Sequence, residues 1–483
     1  MVLRQEPGMS KWKWAALSSV LLLVPFLCWA QQRRPLPSQD SGDWNVPEFV
    51  WKQSLPVRFG DPGIAAIGGT EARALVTFDK RLFAGIGYWM DTETENPALP
   101  GAQVLRLDAS DSEWKVDLEL SDRTPRGERE YLAISTLEKV RFDTDSGGAE
   151  LPEPVDLLLA SVWKRGVGLD VFSRRTGSAF QPWIKIPIAG QGETRRGTQV
   201  RSFALHRDRV TGIDMVFAGA SNSIFVGAYS RSQQRIVWSP ATEWQQDFVG
   251  RPAAAGRVSS FAECNGKLYA AVHGKVYERI DGSSPSWKKV FETSIYSAKV
   301  TGLRGLTSIP NPSGSGEVLL ASVEDNPSRV YRIDPHTTDA SGQYGATQEL
   351  DVSSFLTQTL GTRATYAGIA YNNTTEYPDA TGRCVRRLIG LETITPRFPQ
   401  TFGKQHFDPN AYYLIRDCSG RYALREIQDV QIDPKPELVA VRALTVSPFP
   451  SDPAGTVYAG GFDANANPVH NTAWLYKGTP TRH

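Results

Sequence analysis

Read for its apolar and polar positions, the chain keeps returning to one short pattern. Two apolar residues precede two small ones, then come an apolar residue and a variable one. The pattern reads LFAGIG at 82–87, LLASVW at 158–163, IFVGAY at 224–229, LYAAVH at 268–273, LLASVE at 319–324 and VYAGGF at 457–462. LIGLE at 388–392 is one residue short of it. Runs apolar on both faces, rich in Val, Leu and Tyr with Ala or Gly at set places, predict buried β-strands closely overlaid by another layer. No long stretch carries the 3.6-residue period and caps of a helix, so none is expected.

Each copy has the same neighbours. An apolar strand precedes it, as SFAEC does before Asn265-Gly266, a dipeptide suited to a tight hairpin because both residues tolerate positive φ. After it comes a strand such as VLRLD (104–108), VYERID (276–281) or VYRID (330–334). A polar turn then leads to a strand opening on Trp114, Trp183, Trp244 or Trp287. The unit is therefore four antiparallel strands, a to d, recurring every 44 to 76 residues. The last copy ends after AWLYKG with no d strand, while EFVWKQSLPV (48–57) near the start places Trp51 in the d-strand setting. The N-terminal segment is expected to supply the outer strand of the last unit and close the ring.

This pattern resembles the seven-bladed β-propeller superfamily over almost all of the chain. The resemblance implies an all-β fold of four-stranded antiparallel blades and leaves function open. DASDSEW (108–114) and DGSSPSW (281–287) are similar to the Asp-box repeat of sialidase-like propellers, without its glycine spacing. The arginine motif of sialidases is absent, so no sialidase catalytic residue is carried over.

The ends add a location. Arg4, Lys11 and Lys13 precede an apolar run at 14–27 that Pro25 interrupts, and Ala30 precedes QQRR. That predicts a secretory signal at 1–30, a flexible segment at 31–44 and one propeller domain at 45–480, secreted or periplasmic, with no membrane span after cleavage. Basic and acidic residues number 53 and 52, so nothing in the net charge points to nucleic acid; a monomer is expected. Export permits a disulfide. If Glu392 faces Asn410 across the b–c hairpin of blade six, Cys384 falls opposite Cys418. Cys264 is expected to be a lone buried thiol.

Strand alternation places b-strand ends and a-strand starts on one face. The b-strand ends supply Trp163, Tyr229, His273, Glu324 and Glu392. The a-strand starts supply Arg73, Arg201, Arg304 and Arg442, with Arg129 and Arg257 near the same register. Two readings follow. Arg304 and Glu324 fall opposite one another, so the arginines can be structural ion pairs. Or they form a funnel, with Trp163 and Tyr229, for an anionic ligand such as an acidic glycan or for a protein partner. A hydrolase or lyase would draw on Glu324, Glu392 and His273, but no enzyme signature accompanies them. A scaffold without a ligand is the third possibility. No cofactor is implied. Asp463, Asn465 and Asn467, and the DTDSG fragment at 143–147, offer oxygen ligands in a spacing that calcium could use, though ordinary turns use it too.

Overall fold

Strand β1 (Phe49–Leu55) lies near the start of the chain and pairs with the last strand of all. In this computed structural model the described residues are 46–55, 67–88, 101–166, 168–177, 182–188, 199–246, 256–296, 301–378, 382, 384–395, 408, 410–429, 438–462 and 473–481. The signal segment 1–30, the segment 31–44 and the calcium candidates Asp463, Asn465 and Asn467 lie outside them.

The fold is all-β and propeller-like, built from antiparallel sheets whose strands follow chain order. The first sheet holds β2 (Glu71–Phe78), β3 (Arg81–Gly87), β4 (Ala102–Leu107) and β5 (Lys115–Leu120). The next holds β6 (Tyr131–Thr144), β7 (Glu150–Lys164), β8 (Val171–Arg175) and β9 (Ile184–Lys185). Then come β10 (Ser202–Arg207), β11 (Asp214–Gly219) and β12 (Ser223–Ser230), with β13 (Arg235–Trp238) and β14 (Trp244–Gln245) sharing the outer edge of β12. The following sheet is β15 (Val258–Cys264), β16 (Lys267–Val272), β17 (Lys275–Ile280) and β18 (Ser286–Glu292). After it are β19 (Gly302–Pro310), β20 (Glu317–Glu324), β21 (Arg329–Thr338) and β22 (Tyr344–Asp351). Helix α1 (Val352–Leu360) leads to β23 (Tyr366–Pro378), β24 (Val385–Ile394), β25 (Ala411–Arg416) and β26 (Tyr422–Ile427). The final sheet is β27 (Ala440–Val446), β28 (Val457–Phe462), β29 (Trp474–Pro480) and β1.

The first strand of each sheet packs on the first strand of the next, from β2 through β6, β10, β15, β19 and β23 to β27, and β27 packs back on β2. Small residues permit the approach: a Cβ on Gly87 would lie 2.2 Å from the Ala133 backbone. The Asn265-Gly266 hairpin forms as its sequence suggests, both residues at positive φ (51° and 68°) between paired Cys264 and Lys267.

Three of the four tryptophans expected to open outer strands, joined by Trp238 at the end of β13, have a common task, whereas Trp244 on β14 packs its ring on Tyr277 (5.3 Å between centroids). Trp183 donates its indole N–H to Asp117 on β5 (2.8 Å), Trp287 to Glu243 (3.0 Å), Trp238 to the Ile186 carbonyl (3.2 Å) and Trp114 to Ser54 on β1 (3.0 Å). Tyr422 and Tyr344 do the same through their hydroxyls, to Glu349 and Glu278. Each bond joins one sheet to the sheet before it. Third-strand arginines reinforce three of these acceptors: Arg174 at Asp117, Arg279 at Glu243 and Arg416 at Glu349. The recurrent aromatic is thus an inter-sheet tie with an apolar body and a polar tip.

Three expectations need correction. In the third sheet the second strand is β11, reading DMVFAG; the IFVGAY copy at 224–229 is the third strand, β12. Both segments carry the apolar-small pattern, and the period cannot tell them apart. Second, the b–c register of the sixth sheet pairs Arg387 with Arg416, which would set Cys384 opposite Ser419, one residue from the expectation. The Cys384–Cys418 disulfide forms all the same, because both cysteines lie just past the ends of β24 and β25, with Cα atoms 5.4 Å apart. Third, α1 is a helix: Asp351 caps it by accepting the Ser354 N–H (2.8 Å), and Gly361 ends it at φ 62°. At nine residues it is too short to announce itself by periodicity.

Candidate functional site

The face where second strands end and first strands begin gathers the arginines. Arg73 lies on β2, Arg304 on β19 and Arg442 on β27, while Arg129, Arg201 and Arg257 sit just ahead of β6, β10 and β15. Single pairs tie neighbouring sheets there: Gly87 with Ala133, Glu71 with Phe462, and Glu392 with Ala440.

Carboxylates engage several of these guanidiniums. Glu324 takes Arg304 side-on, with Oε2 toward Nε and Oε1 accepting from Nη2 at 2.7 Å; Oε2 also accepts the Thr301 N–H at 3.0 Å. Arg257 donates to the Thr301 hydroxyl (3.2 Å), extending that group to the preceding sheet. Arg442 spans two acids, Glu71 through Nε (2.9 Å) and Glu392 through Nη2 (3.0 Å), and Glu71 also meets Arg73 (3.3 Å). Glu71, on the first strand, went unnoticed in the sequence. Two of the cations also lie over rings: Arg129 over Tyr88 (4.9 Å) and Arg442 over Phe462 (4.6 Å).

The other sequence candidates separate. His273 occupies the tight turn between β16 and β17 at φ 53°, and its carbonyl accepts the Leu303 N–H at 2.6 Å. Gly302 makes room for it: a Cβ there would lie 2.6 Å from that carbonyl oxygen. Trp163 is half-buried on β7 and stays on the arginine face, paired with Ala133. Tyr229 does not. It lies at the far end of β12, buried against Phe142 (5.7 Å between rings), and its carbonyl accepts from Ser146 in the β6–β7 turn. Tyr229 therefore sits on the opposite face, a consequence of the strand exchange in the third sheet. Asp145, in the DTDSG fragment, is capped by its own turn, accepting N–H groups from Gly147 (2.9 Å) and Ala149 (3.1 Å). Among the described residues no cluster of His, Cys, Asp and Glu is arranged to hold a metal ion.

Two further acids were not foreseen, Asp170 near this face and Glu138 midway along β6. Asp170 receives Lys164 (2.8 Å), Lys185 (3.0 Å) and the Tyr131 hydroxyl (2.8 Å). Burial alone would raise its pKa; those partners outweigh burial and hold the carboxyl below the ordinary carboxylate range. Glu138, on β6, behaves oppositely. Burial pushes its pKa up to about 7, opposed only weakly by a backbone N–H. The folded chain keeps that proton to higher pH than the unfolded chain does. Its effect on stability therefore turns unfavourable as pH rises from the ordinary glutamate range to about 7. Glu138→Gln should leave stability at pH 4 unchanged and raise it by about 2 kcal/mol at pH 8, a figure reduced for the residue's partial exposure. Urea unfolding at the two pH values checks this; parallel pH curves for both proteins would reject it.

No protein-family model matches the chain, and no curated protein matches it. Solved structures do align with it. NanB sialidase from Streptococcus pneumoniae covers 89% of this chain and 71% of its own, at 10% identity and TM-score 0.38. Sqt1 from Chaetomium thermophilum, solved with the N-terminus of a ribosomal protein, covers 82% and 83%, at 12% identity and TM-score 0.40. A putative 6-phosphogluconolactonase from Bacteroides uniformis covers 74% and 84%, at 11% identity and TM-score 0.37. At these scores the fold rests on the strand pairings given above.

Proposed function

We propose that the protein is an exported seven-bladed β-propeller that binds an anionic ligand, an acidic glycan being the class in view, on its arginine-bearing face. The cyclic packing of first strands and the completion of the last sheet by β1 support the seven-bladed reading. The Cys384–Cys418 disulfide fits an oxidising, extracellular setting. No helix among the described residues is long and apolar enough to cross a membrane.

One observation carries the functional reading: among the described residues six arginines from six separate sheets lie on one face, and three of them, Arg73, Arg304 and Arg442, pair with Glu71, Glu324 and Glu392. The paired guanidiniums hold the mouth rigid, and a face that gathers guanidiniums from six sheets suits an anionic ligand. An acid/base role is disfavoured for Glu324, whose two oxygens are both committed to Arg304. The same ion pairs favour a scaffold as the second reading.

Titration calorimetry of the full chain with oligogalacturonate, and with dextran as a neutral control, separates the two. Binding of the acid polymer alone is expected, weakening as salt rises. Arg257→Gln, at a half-buried position, should weaken it by about tenfold or more, as loss of one charged hydrogen bond does. A chain that binds neither polymer is a scaffold.

A further inference from the structure

Tyr296 stands in the connection from β18 to β19, on the arginine face, and is 68% exposed. An exposed aromatic is unremarkable by itself. This one is held in place from below. Its backbone N–H donates to Asp325 (2.7 Å), a residue with no exposed surface. The guanidinium of Arg329 lies 5.3 Å from the ring centre. Arg329 is itself 8% exposed and fixed by the Ser294 carbonyl (2.8 Å), the Tyr331 hydroxyl (3.0 Å) and Asp325 (3.5 Å). Its Nε is buried with no hydrogen-bond acceptor among the described residues. Asp325 follows Glu324, the partner of Arg304, so the tyrosine is joined through two adjacent residues to the arginine ring.

We infer that Tyr296 is a stacking platform for a sugar ring of the ligand, an inference that rests on the anion-binding reading above. The ring spends little conformational entropy on binding, because its backbone and one face are already fixed. With a cation beneath, the open face disfavours a second cation, so lysine, arginine and quaternary ammonium groups are poor occupants. A flat, uncharged surface suits it, and the C–H face of a pyranose whose carboxylates point toward the arginines meets both demands. The disulfide fits an oxidising, extracellular setting in which such polymers occur, and the balanced charge of the chain gives no support to a nucleic acid.

Calorimetry of the full chain with three probes tests this: oligogalacturonate (rings and carboxylates), citrate (carboxylates only) and uridine monophosphate (a base with a phosphate). Tyr296→Ala should weaken oligogalacturonate binding by about tenfold, the loss expected for one aromatic contact. Tyr296→Phe should bind within about twofold of the parent, since the ring remains. Citrate binding should be the same in all three proteins. If Tyr296→Ala binds oligogalacturonate like the parent, the platform is wrong and the anion-binding face stands. If the parent binds neither acid, both readings fall. A Tyr296-dependent preference for uridine monophosphate would overturn the sugar assignment.

Discussion

Arg442→Ala should lower the free energy of unfolding by about 3–5 kcal/mol, the cost of leaving buried charges without their partner. Arg442 is 2% exposed and joins Glu71 of the first sheet to Glu392 of the sixth, with its own strand between them. Alanine leaves two buried carboxylates facing each other across a void. Because the entropy of unfolding grows with chain length, the shift in melting temperature is modest, roughly 3–5 °C. Chemical denaturation is thus the better reporter. Arg442→Met combined with Glu392→Gln removes the carboxylate that would be stranded, leaves Glu71 with Arg73, and should recover most of the loss. If the double variant is no more stable than Arg442→Ala, the ion network is not what Arg442 contributes.

Trp51→Ala should cost about as much, roughly 3–5 kcal/mol, as removal of a large buried aromatic does. Trp51 is 4% exposed, although it lies in the first described strand. Its register partner is Gly478, and a Cβ there would come within 2.7 Å of the indole. The ring meets Tyr413 of the neighbouring sheet edge-on, 5.9 Å between centroids. Gly478 is thus a glycine because the tryptophan needs its space. The variant should also expose β29 as an unpaired edge, which invites association between chains. Equilibrium urea unfolding gives the energy, and light scattering reports the association. A variant as stable as the parent would mean that the N-terminal strand is ornamental.

The repeat was the most legible feature of the sequence, because buried strands leave a two-sided apolar signature and polar turns, one of them Asn265-Gly266, separate them. The tryptophans could be located but not explained: their bonds reach residues as distant as Asp117 from Trp183, which no local pattern reveals. The exchange of β11 and β12 shows the limit of period-two reasoning, since two adjacent buried strands of similar composition fit one template. That exchange alone moved Tyr229 to the wrong face. Two turns were overlooked although they repeat the motif D-x-S-G-x-Y. Asp339 and Asp417 each accept N–H groups two and four residues on, around Gly342 and Gly420 at positive φ, and Tyr344 and Tyr422 follow.

The candidate site was legible in its residue types and only partly in its arrangement. Arg304 and Glu324 could be paired from hairpin register, because both lie in one sheet. The link from Arg442 to Glu71 and Glu392 crosses three sheets, and Glu71 joins it only because the first sheet packs on the last. Tyr296 gave no signal, since it lies in a connection and matters through Arg329 beneath it.

Closure of the ring by the N-terminal strand is the claim on which the rest depends. Val50 and Thr479 are direct register partners, and Val50 is 56% exposed. In Val50→Cys/Thr479→Cys, mild oxidation followed by proteolysis and mass spectrometry should give a cross-linked pair of peptides joining the two ends of the chain. Recovery of those peptides only as free thiols, under conditions that leave Cys384–Cys418 bonded, would contradict the closed ring.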